Sequence, residues 1–580
     1  MSTSADLTSI LRGYVTRMLS DVTGMKVLLL DKETTKFVST VYSQSEILKH
    51  EVFLVDSLLK DSGDQLFHLK AVCFLRPTRE NIAHLRKELR NPRYGEYHIY
   101  FSRTVGDLSL QELAECDTRE LVHQVQEFYG DFEALESHHF SIPLGADNHV
   151  VYQPFSWDYS KSSAVQDRLV EGLASLSMAM RKRPSIRYQR NSEFCHRVAD
   201  GLYHLMYHEE RSLYDFGQRG GDVMLLLIDR RDDPVTPLLL QWTYQAMVHD
   251  LIGIRDNRVD LASTGSKVHK DHAQIVLSAP QDSFFRDHMY SNYGDLGLAV
   301  KALVDDFQQE AKTSRDIQSI QEMMRFVEAF PEFKAKQGSV SKHVTLLSEM
   351  SSIVERRSLM VASQLEQELA CSSGSCATVA DEVVELLDNP NLSDDDRLRL
   401  VILFALKYEK EGVRQVGAMV SRLQEYGIDK RRTDLVHGIL RYCGSDKRLA
   451  DVFSNKNFYA RATSIARGLK GVENVYTQHV PILNATVEAA VKGKLPVQDY
   501  PEISDPSSTG LQPQKAPREV IVFVIGGTTY EESRFVAQMN SAAKKGDSSN
   551  GSARVLLGGT AVCNGKSFLS DFEAILAAEH

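Results

Sequence analysis

Apolar runs typical of buried parallel strands fall into two groups, and a long helical stretch interrupts the second group. That group begins with VMLLLID at 223–229, and the only comparable later runs are EVIVFVIGG at 519–527 and ARVLLGG at 553–559. Residues 240–510 between them carry almost wholly helical patterns. Because the strands of a sheet lie side by side, we predict that the chain leaves this sheet, forms a helical insert, and returns with its C-terminus to complete the sheet.

An earlier group of strand-like runs predicts a separate sheet. The runs MKVLLLD (25–31), VFLVDSL (52–58), LKAVCFL (69–75) and YHIYFS (97–102) alternate with polar helical stretches. This alternation is typical of a parallel sheet flanked by helices. At 580 residues the chain exceeds the roughly 250–300 residues of a single core, so we expect several packed domains.

Composition and charge argue against several classes of function. The chain is 42% hydrophobic and 25% charged, as in ordinary soluble globular proteins. A formal net charge of -11, without long lysine or arginine blocks, argues against a nucleic acid partner. No stretch nears the roughly 18 apolar residues of a membrane span, which predicts a protein that is cytoplasmic or peripheral to a membrane. Seven scattered cysteines without a CxxC pair predict reduced thiols.

The acidic stretch DRRDDPVTP, directly after the run at 223–229, has two interpretations. Asp229, Asp232 and Asp233 offer the oxygen ligands that a hard cation prefers. Two arginines stand among them, however, and favour internal ion pairs. Thr236 followed by proline predicts a helix N-cap, after which one helical face would carry Leu240, Tyr244, Met247 and Leu251. We therefore predict a structural joint formed by Asp229, Arg230, Asp233, Pro234, Thr236 and Pro237.

The loop GGTAVCNGKS at 558–567 resembles a phosphate-binding loop but has the wrong spacing. Such a loop needs four residues between its first glycine and the Gly-Lys-Ser. Five residues separate Gly559 from Gly565, and six separate Gly558 from Gly565. A nucleotide-dependent α/β enzyme that uses this loop is the alternative hypothesis.

A histidine pair is a second possible metal site. His204 and His208 have the spacing of zinc ligands on one helix face, but Leu205 stands where a metalloprotease needs glutamate. No third ligand is evident, so we predict ordinary surface or core histidines and no metal.

Residues 294–336 carry apolar side chains at helical spacing on both sides of a polar turn near 313–315. This pattern predicts two amphipathic helices. Their apolar faces either pack into the domain's own core or bind a partner helix.

Four stretches resemble the SM family, the Sec/Munc proteins that bind syntaxins and govern SNARE assembly in membrane fusion. They are DRRDDPVTPLLLQWTYQAMVHDLIGI (229–254), FPEFKAKQGSVSKHVTLLSEM (330–350), VIVFVIGGTTYEE (520–532) and GKSFL (565–569). The first looks most like the vacuolar-protein-sorting members, which serve trans-Golgi and endosomal traffic. The family usually reads Asn-Ser-Lys-Ser at the last stretch, so Gly565 is a departure that imitates a phosphate-binding loop.

The resemblance implies an α/β, arch-shaped, three-domain fold. Two parallel-sheet α/β domains are expected, with a large, mainly helical domain inserted in the second. The implied segments are domain 1 (1–131), the first part of domain 2 (132–235), domain 3a with a projecting hairpin (236–355), domain 3b (356–478) and the second part of domain 2 (479–580).

The resemblance also implies a non-enzymatic protein with no catalytic residue, cofactor or metal. Members hold a syntaxin-type Qa-SNARE by its N-terminal peptide and helical domains, and present the hairpin to the vesicle R-SNARE. Membrane association at the Golgi and endosomes is expected only through these SNARE partners, and we expect a monomer.

Site residues are carried over by position. The implied groove for the syntaxin N-terminal peptide lies within 108–128, at Leu110, Leu113, Val122, Val125 and Glu127. An apolar pocket with one acid suits a peptide with an apolar anchor beside a basic residue, and plain helix packing is the alternative.

Two further sets of positions are carried over in the same way. Lys36 and Asp56 match positions that contact syntaxin in the central cavity. In the hairpin, Glu322 matches a charge that tunes opening, and Val344 matches the surface for the vesicle SNARE. Pro331 is implied as a hinge, because proline removes an internal helix hydrogen bond.

Overall fold

The computed structural model describes residues 6–60, 65–153, 159–217, 222–264, 273–315, 320–371, 374–453, 476, 478–503, 516–545 and 553–579. The chain forms two compact units. Unit 1 comprises Met1–Arg230, Ala485–Thr528 and Phe535–Val562, and unit 2 comprises Arg231–Asn484, Thr529–Arg534 and Cys563–His580. The domain boundaries implied by the family stay predictions.

A wholly parallel five-stranded sheet forms the first part of unit 1. Its strands are β1 (Lys26–Leu30), β2 (Val52–Ser57), β3 (Leu66–Leu75), β4 (Tyr94–Phe101) and β5 (Val122–Glu127). The strand order is β2-β1-β3-β4-β5. The four early apolar runs form β1 to β4, as predicted. β5 lies at one edge, and its alternation of half-buried and exposed residues was not recognised as a strand.

Helices precede and connect these strands, and all of them except α5 have a polar N-cap. They are α1 (Leu7–Asp21), α2 (Lys32–Val41), α3 (Gln44–Leu48), α4 (Arg79–Arg90) and α5 (Asp107–Cys116). Asp31, directly after β1, accepts hydrogen bonds from the amides of Glu33 and Thr34 at 2.8 Å. Such caps satisfy amides that the first helical turn leaves without partners.

The second sheet of unit 1 has six strands. They are β6 (Glu133–Ala134), β7 (His139–Ser141), β8 (Ser185–Tyr188), β9 (Val223–Asp229), β12 (Glu519–Ile525) and β13 (Arg554–Gly559), while β10 and β11 belong to unit 2. The order is β6-β7-β13-β12-β9-β8, and only β6 and β7 pair antiparallel. β9 pairs with β12 from Val223–Glu519 to Asp229–Ile525. The predicted return of the chain to this sheet is therefore confirmed.

Two helices follow β7 and β8 along the chain, namely α6 (Tyr159–Met180) and α7 (Glu193–His204). A π-helical turn, Leu205–Glu209, continues α7.

Unit 2 is mainly helical, as the pattern over 240–510 predicts. Its helices are α8 (Tyr244–Leu251), α9 (Ser283–His288), α10 (Tyr293–Arg315), α11 (Ile320–Arg356), α12 (Leu359–Cys371), α13 (Cys376–Leu387), α14 (Asp394–Lys407), α15 (Val413–Glu425), α16 (Lys430–Thr433) and α17 (Leu435–Cys443). A short antiparallel pair, β10 (Arg258–Asp260) and β11 (Gln274–Val276), interrupts them.

Among the described residues after 476 there are three more helices: α18 (Ile482–Val491), α19 (Tyr530–Lys544) and α20 (Gly565–Ala578). In the described part of the chain, no helix is both long and apolar enough to cross a bilayer.

Candidate functional site

The residues implied for the peptide groove lie on α5 and β5, at one edge of the first sheet. Leu113 is only 5% exposed and belongs to the core of this sheet, and Leu110 and Val122 are half-buried against the same core. Val125 is 42% exposed, and the neighbouring α5 presents Leu108, which the sequence did not single out. The accessible apolar surface here therefore consists of Val125 and Leu108.

The carboxylate of Glu127 is held by its own domain. One oxygen accepts a hydrogen bond from the amide of Val105 at 2.8 Å, and the other accepts one from the hydroxyl of Tyr129 at 2.9 Å. These bonds fix the carboxylate beside the loop that precedes α5. The side chain remains half-buried, so its charge faces this edge of the sheet.

The other edge of the first sheet is apolar and exposed. Lys36 lies half-buried in α2, and Asp56 lies in the edge strand β2, 3.6 Å from the ammonium group of Lys60. Exposed apolar side chains stand on β2 and directly after it, directly before β1, and near the amino end of β3. We call them the β2 surface: Met25, Phe53, Leu54, Leu59 and Phe67.

Phe53 is the most exposed member of the β2 surface, at 59%. The pairing of β1 with β2 shifts register at this position, from Lys26–Val52 to Val27–Leu54, so Phe53 is left out of the ladder. Bulges of this kind redirect side chains at sheet edges. The apolar run at 52–58 predicts a buried strand, so this surface was not expected from the sequence. The aspartate within the run was the available signal of an edge strand.

The hairpin of unit 2 consists of α10 and α11. The rings of Phe307 and Phe333 stack at 5.1 Å between the two helices, and Lys336 forms an ion pair with Glu310. Residues 313–315, predicted as a turn, are instead the last three residues of α10. Glu322 and Pro331 fall within α11, in a stretch whose side chains lie outside the described residues.

Val344 lies further along α11, in the described part of the hairpin, and is 39% exposed. An apolar side chain at this exposure is available to a partner. Val344 is therefore the one implied hairpin residue whose side chain the structure describes.

The acidic stretch at 229–237, which we call the acidic elbow, carries buried charges that form hydrogen bonds within unit 1 and within unit 2. In unit 1, Asp229 accepts a hydrogen bond from the Ser192 hydroxyl at 2.5 Å, and the Arg230 guanidinium donates to the Gly527 carbonyl at 3.0 Å. In unit 2, Asp233 accepts from the amide of Thr236 at 3.0 Å and from the amide of Ile482, at the start of α18, at 3.2 Å. Each set of contacts lies within one unit and suits a structural joint, which stays a prediction.

The helix predicted to start at Thr236 is wrong in detail. Thr236 and Pro237 belong to a short 3-10 helix, Thr236–Leu238, and α8 begins only at Tyr244. Asp233 binds both the amide and the hydroxyl of Thr236, so the threonine side chain is not free to cap a helix. Pro234 and Pro237 are buried beside it.

The glycines of the 558–567 loop are explained by packing. A β-carbon on Gly558 would stand 2.1 Å from the Phe140 ring, and one on Gly565 would stand 3.0 Å from the Arg399 side chain. Asn564 caps α20 by accepting the Ser567 amide at 2.8 Å, and so occupies the helix end that a phosphate would need.

The histidine pair lies where α7 passes into its π-helical turn. The rings of His204 and His208 lie 5.5 Å apart, and His204 contacts the Glu209 carboxylate at 3.2 Å. Among the described residues, no three His, Cys, Asp or Glu side chains are grouped so that they could hold a metal ion.

Comparison with known proteins now identifies the family. The Sec1 family model matches residues 26–571. The chain belongs to the Sec1 family.

Relatives of this Sec1-family chain cover nearly its whole length. It is 48% identical to the vacuolar protein sorting-associated protein 45 homolog of Arabidopsis thaliana, over 98% of this chain and 97% of the relative. It is 42% identical to human vacuolar protein sorting-associated protein 45, over 96% of this chain and 94% of the relative. The resemblance noted in the sequence is thereby confirmed.

The Sec1-family fold is confirmed by a solved structure. The SM protein Vps45, in complex with the Qa SNARE Tlg2, matches with a TM-score of 0.88 at 38% identity. The match covers 99% of this chain and 98% of that one. The two parallel sheets and the helical insert are thus features of the family.

Proposed function

We propose that this protein binds a syntaxin-type Qa-SNARE and acts as a template for SNARE complex assembly in vesicle fusion. The observation that carries the proposal is its likeness, along the whole chain, to Vps45 solved with the Qa SNARE Tlg2. The relatives' names support a place in vacuolar protein sorting. We further propose that it works at trans-Golgi and endosomal membranes as a cytoplasmic monomer, held there through its SNARE partners.

The physical basis is the entropy of disordered SNARE motifs. Such segments lose conformational freedom when they assemble into a helical bundle. A folded surface that aligns two of them supplies part of this ordering before they pair, so the barrier to pairing falls. No covalent bond is made or broken in this mechanism, and we propose no catalytic residue.

The β2 surface is the proposed contact for the helical part of the Qa-SNARE. Its five exposed apolar side chains suit the apolar stripe of an amphipathic helix. Burying a side chain the size of phenylalanine contributes roughly 1.5–3 kcal/mol. Lys36 lies on α2 and Asp56 on β2, and we propose that they select the orientation of the partner.

The edge formed by α5 and β5 is the proposed site of the syntaxin N-terminal peptide. Val125 and Leu108 offer the exposed apolar contact, and Glu127 offers a charge for a basic residue. Leu110, Leu113 and Val122 support this surface from beneath. The vesicle R-SNARE is assigned to the hairpin, where Val344 is exposed and Glu322 and Pro331 stay predictions.

The proposal is tested by the affinity for a cytosolic Qa-SNARE domain, measured by calorimetry with and without its first residues. Phe53→Asp is expected to weaken binding by about tenfold or more, because a charge replaces buried apolar area. Val413→Asp is the matched control, since Val413 is also apolar and exposed but lies on α15.

A second measurement separates a template from a passive scaffold. The protein is added to Qa-SNARE and R-SNARE segments, and their pairing rate is followed by fluorescence. A template raises this rate, whereas a scaffold binds and leaves it unchanged. Wild-type protein that fails to bind any Qa-SNARE would contradict the proposed function as a whole.

A further inference from the structure

The residue before Val344 on α11 is fully buried, while Val344 itself is exposed. His343 has 0% of its surface accessible. Successive residues of an α-helix point about 100° apart, because one turn contains 3.6 residues. The direction of the His343 side chain therefore determines the direction in which Val344 faces. This turn of α11 is where the hairpin meets α8 and α9.

Two polar groups hold the His343 ring. Its Nε2 lies 3.1 Å and 3.3 Å from the two carboxylate oxygens of Asp282, and its Nδ1 lies 2.7 Å from the Tyr244 hydroxyl. A neutral imidazole has one donor and one acceptor, and an ionised carboxylate only accepts. We therefore assign the proton to Nε2, which donates to Asp282, while Nδ1 accepts from Tyr244.

Asp282 joins α9 to α11 through one carboxylate. It caps α9 by accepting the amide of Phe285 at 2.9 Å, accepts from His343 of α11, and forms an ion pair with Lys342. Lys342 also donates to the carbonyl of Val276 in β11 at 3.4 Å. Burial alone would raise the pKa of Asp282, but the bonds from His343 and Lys342 lower it below its usual value.

Aromatic rings close around the same histidine. The centroid of the Phe284 ring lies 4.5 Å from that of His343, and that of Tyr244 lies 5.9 Å away. A bonded ring in a packed pocket has one orientation, because rotation would break both hydrogen bonds and clash with these neighbours.

We propose that Asp282, His343 and Tyr244 form a latch that sets the rotation of α11, and so orients the Val344 surface for the vesicle R-SNARE. The inference rests on the proposed role of the hairpin. All three are positioning residues, since they act through the exposed surface and do not touch the partner. A helix fixed in its binding orientation loses less freedom on binding, so it binds more tightly.

The test uses the full-length chain and two ligands, a soluble R-SNARE segment and a Qa-SNARE domain. Asp282→Asn retains an oxygen that can cap α9 but removes the charge that holds Lys342 and His343. It is expected to weaken R-SNARE binding on the order of tenfold while Qa-SNARE affinity stays unchanged. A loss of overall folding would lower both affinities, so the difference between them identifies the latch.

Asp287→Asn is the matched control. It makes the same chemical change in α9, but at an exposed side chain whose ion-pair partner is the adjacent Arg286. Both affinities should remain at the wild-type value. If Asp282→Asn does not fold, Tyr244→Phe, which removes one hydroxyl, is tested in its place. This variant should lower R-SNARE affinity selectively.

Hydrogen exchange provides the direct readout, and α11 amides should exchange faster in Asp282→Asn than in Asp287→Asn. Wild-type R-SNARE affinity in folded Asp282→Asn and Tyr244→Phe would overturn the latch and leave the hairpin's role intact. Wild-type protein that does not bind the R-SNARE segment would instead overturn that role, and the latch with it.

Discussion

At the scale of single residues, the residues implied for the peptide groove differ in burial. Leu113 and Val125 both occupy positions of the implied peptide groove, yet Leu113 belongs to the core and Val125 to the surface. Both lie near one edge of the first sheet. The motif cannot tell which side chain points inward, because that depends on how α5 packs against β4 and β5. Phe53 was missed for the same reason, since a bulge decides its direction.

Charged substitutions at Leu113 and Val125 should therefore differ in their effect on the free energy of unfolding. Leu113→Arg places an unpaired charge in the core, and is expected to lower the free energy of unfolding by about 3 kcal/mol or more. Val125→Arg should change it by roughly 0.5 kcal/mol or less, because the side chain is exposed. Chemical denaturation measures both values.

A charge at the exposed Val125 should instead impair peptide binding selectively. In folded protein, Val125→Arg is expected to weaken binding of a syntaxin N-terminal peptide while the affinity for a Qa-SNARE lacking that peptide stays constant. Unchanged peptide affinity in Val125→Arg would place the peptide elsewhere on the chain.

At the scale of elements, local hydrogen bonds decided where the helix after the elbow begins. The Thr-Pro pair and the following apolar residues predict a helix from 236, but the bonds of Asp233 to Thr236 hold a 3-10 turn there instead. The amide of Gln241 then donates to Asp250 of α8 at 3.1 Å, so this aspartate holds the segment that precedes its own helix. Helical periodicity alone contains no signal for such bonds.

Asp250 should contribute less to the free energy of unfolding as the pH rises. Burial, together with the nearby Glu366, raises its pKa from 3.8 to about 7, although Arg399 opposes the shift. Between these values the folded protein holds a proton that the unfolded chain releases. The contribution of Asp250 to stability is therefore greatest below pH 3.8 and falls as pH rises toward about 7.

Asp250→Asn removes this titration. Measured by urea unfolding between pH 4 and 8, its stability relative to wild type should increase with pH up to about 7 and then level off. Asp305→Asn, at an exposed position of α10, is the control and should show no such trend. A wild-type-like pH profile for Asp250→Asn would contradict the assignment.

At the scale of the whole molecule, the spacing of the apolar runs was sufficient to predict that the chain returns to the second sheet after the helical insert. Runs at 223–229, 519–527 and 553–559 became the adjacent strands β9, β12 and β13, because few other segments can fill a buried parallel sheet. The order β13-β12-β9 was not predictable, since each of the three runs is equally apolar. The short strands β6 to β8 were missed because they have too few residues to show a pattern.

Removal of residues 516–580 should destabilise the second sheet of unit 1 and leave the first sheet folded. β12 and β13 are lost, so β9 has no neighbour on one side, whereas all five strands of the first sheet lie within residues 26–127 and remain. Limited proteolysis with mass spectrometry should find the first sheet protected and the second sheet cleaved. Co-expression of the missing segment is the control and should restore protection, while a protected second sheet in the truncated chain would contradict the prediction.

The pairing of β9 with β12 also has a consequence for biosynthesis. Roughly 290 residues separate the two strands, and at about 5–20 residues per second the ribosome needs on the order of 15–60 s to make them. Throughout that interval the nascent chain displays an apolar strand with an open edge, which is prone to aggregation. Newly made protein should therefore depend on a chaperone that shields this edge until translation ends.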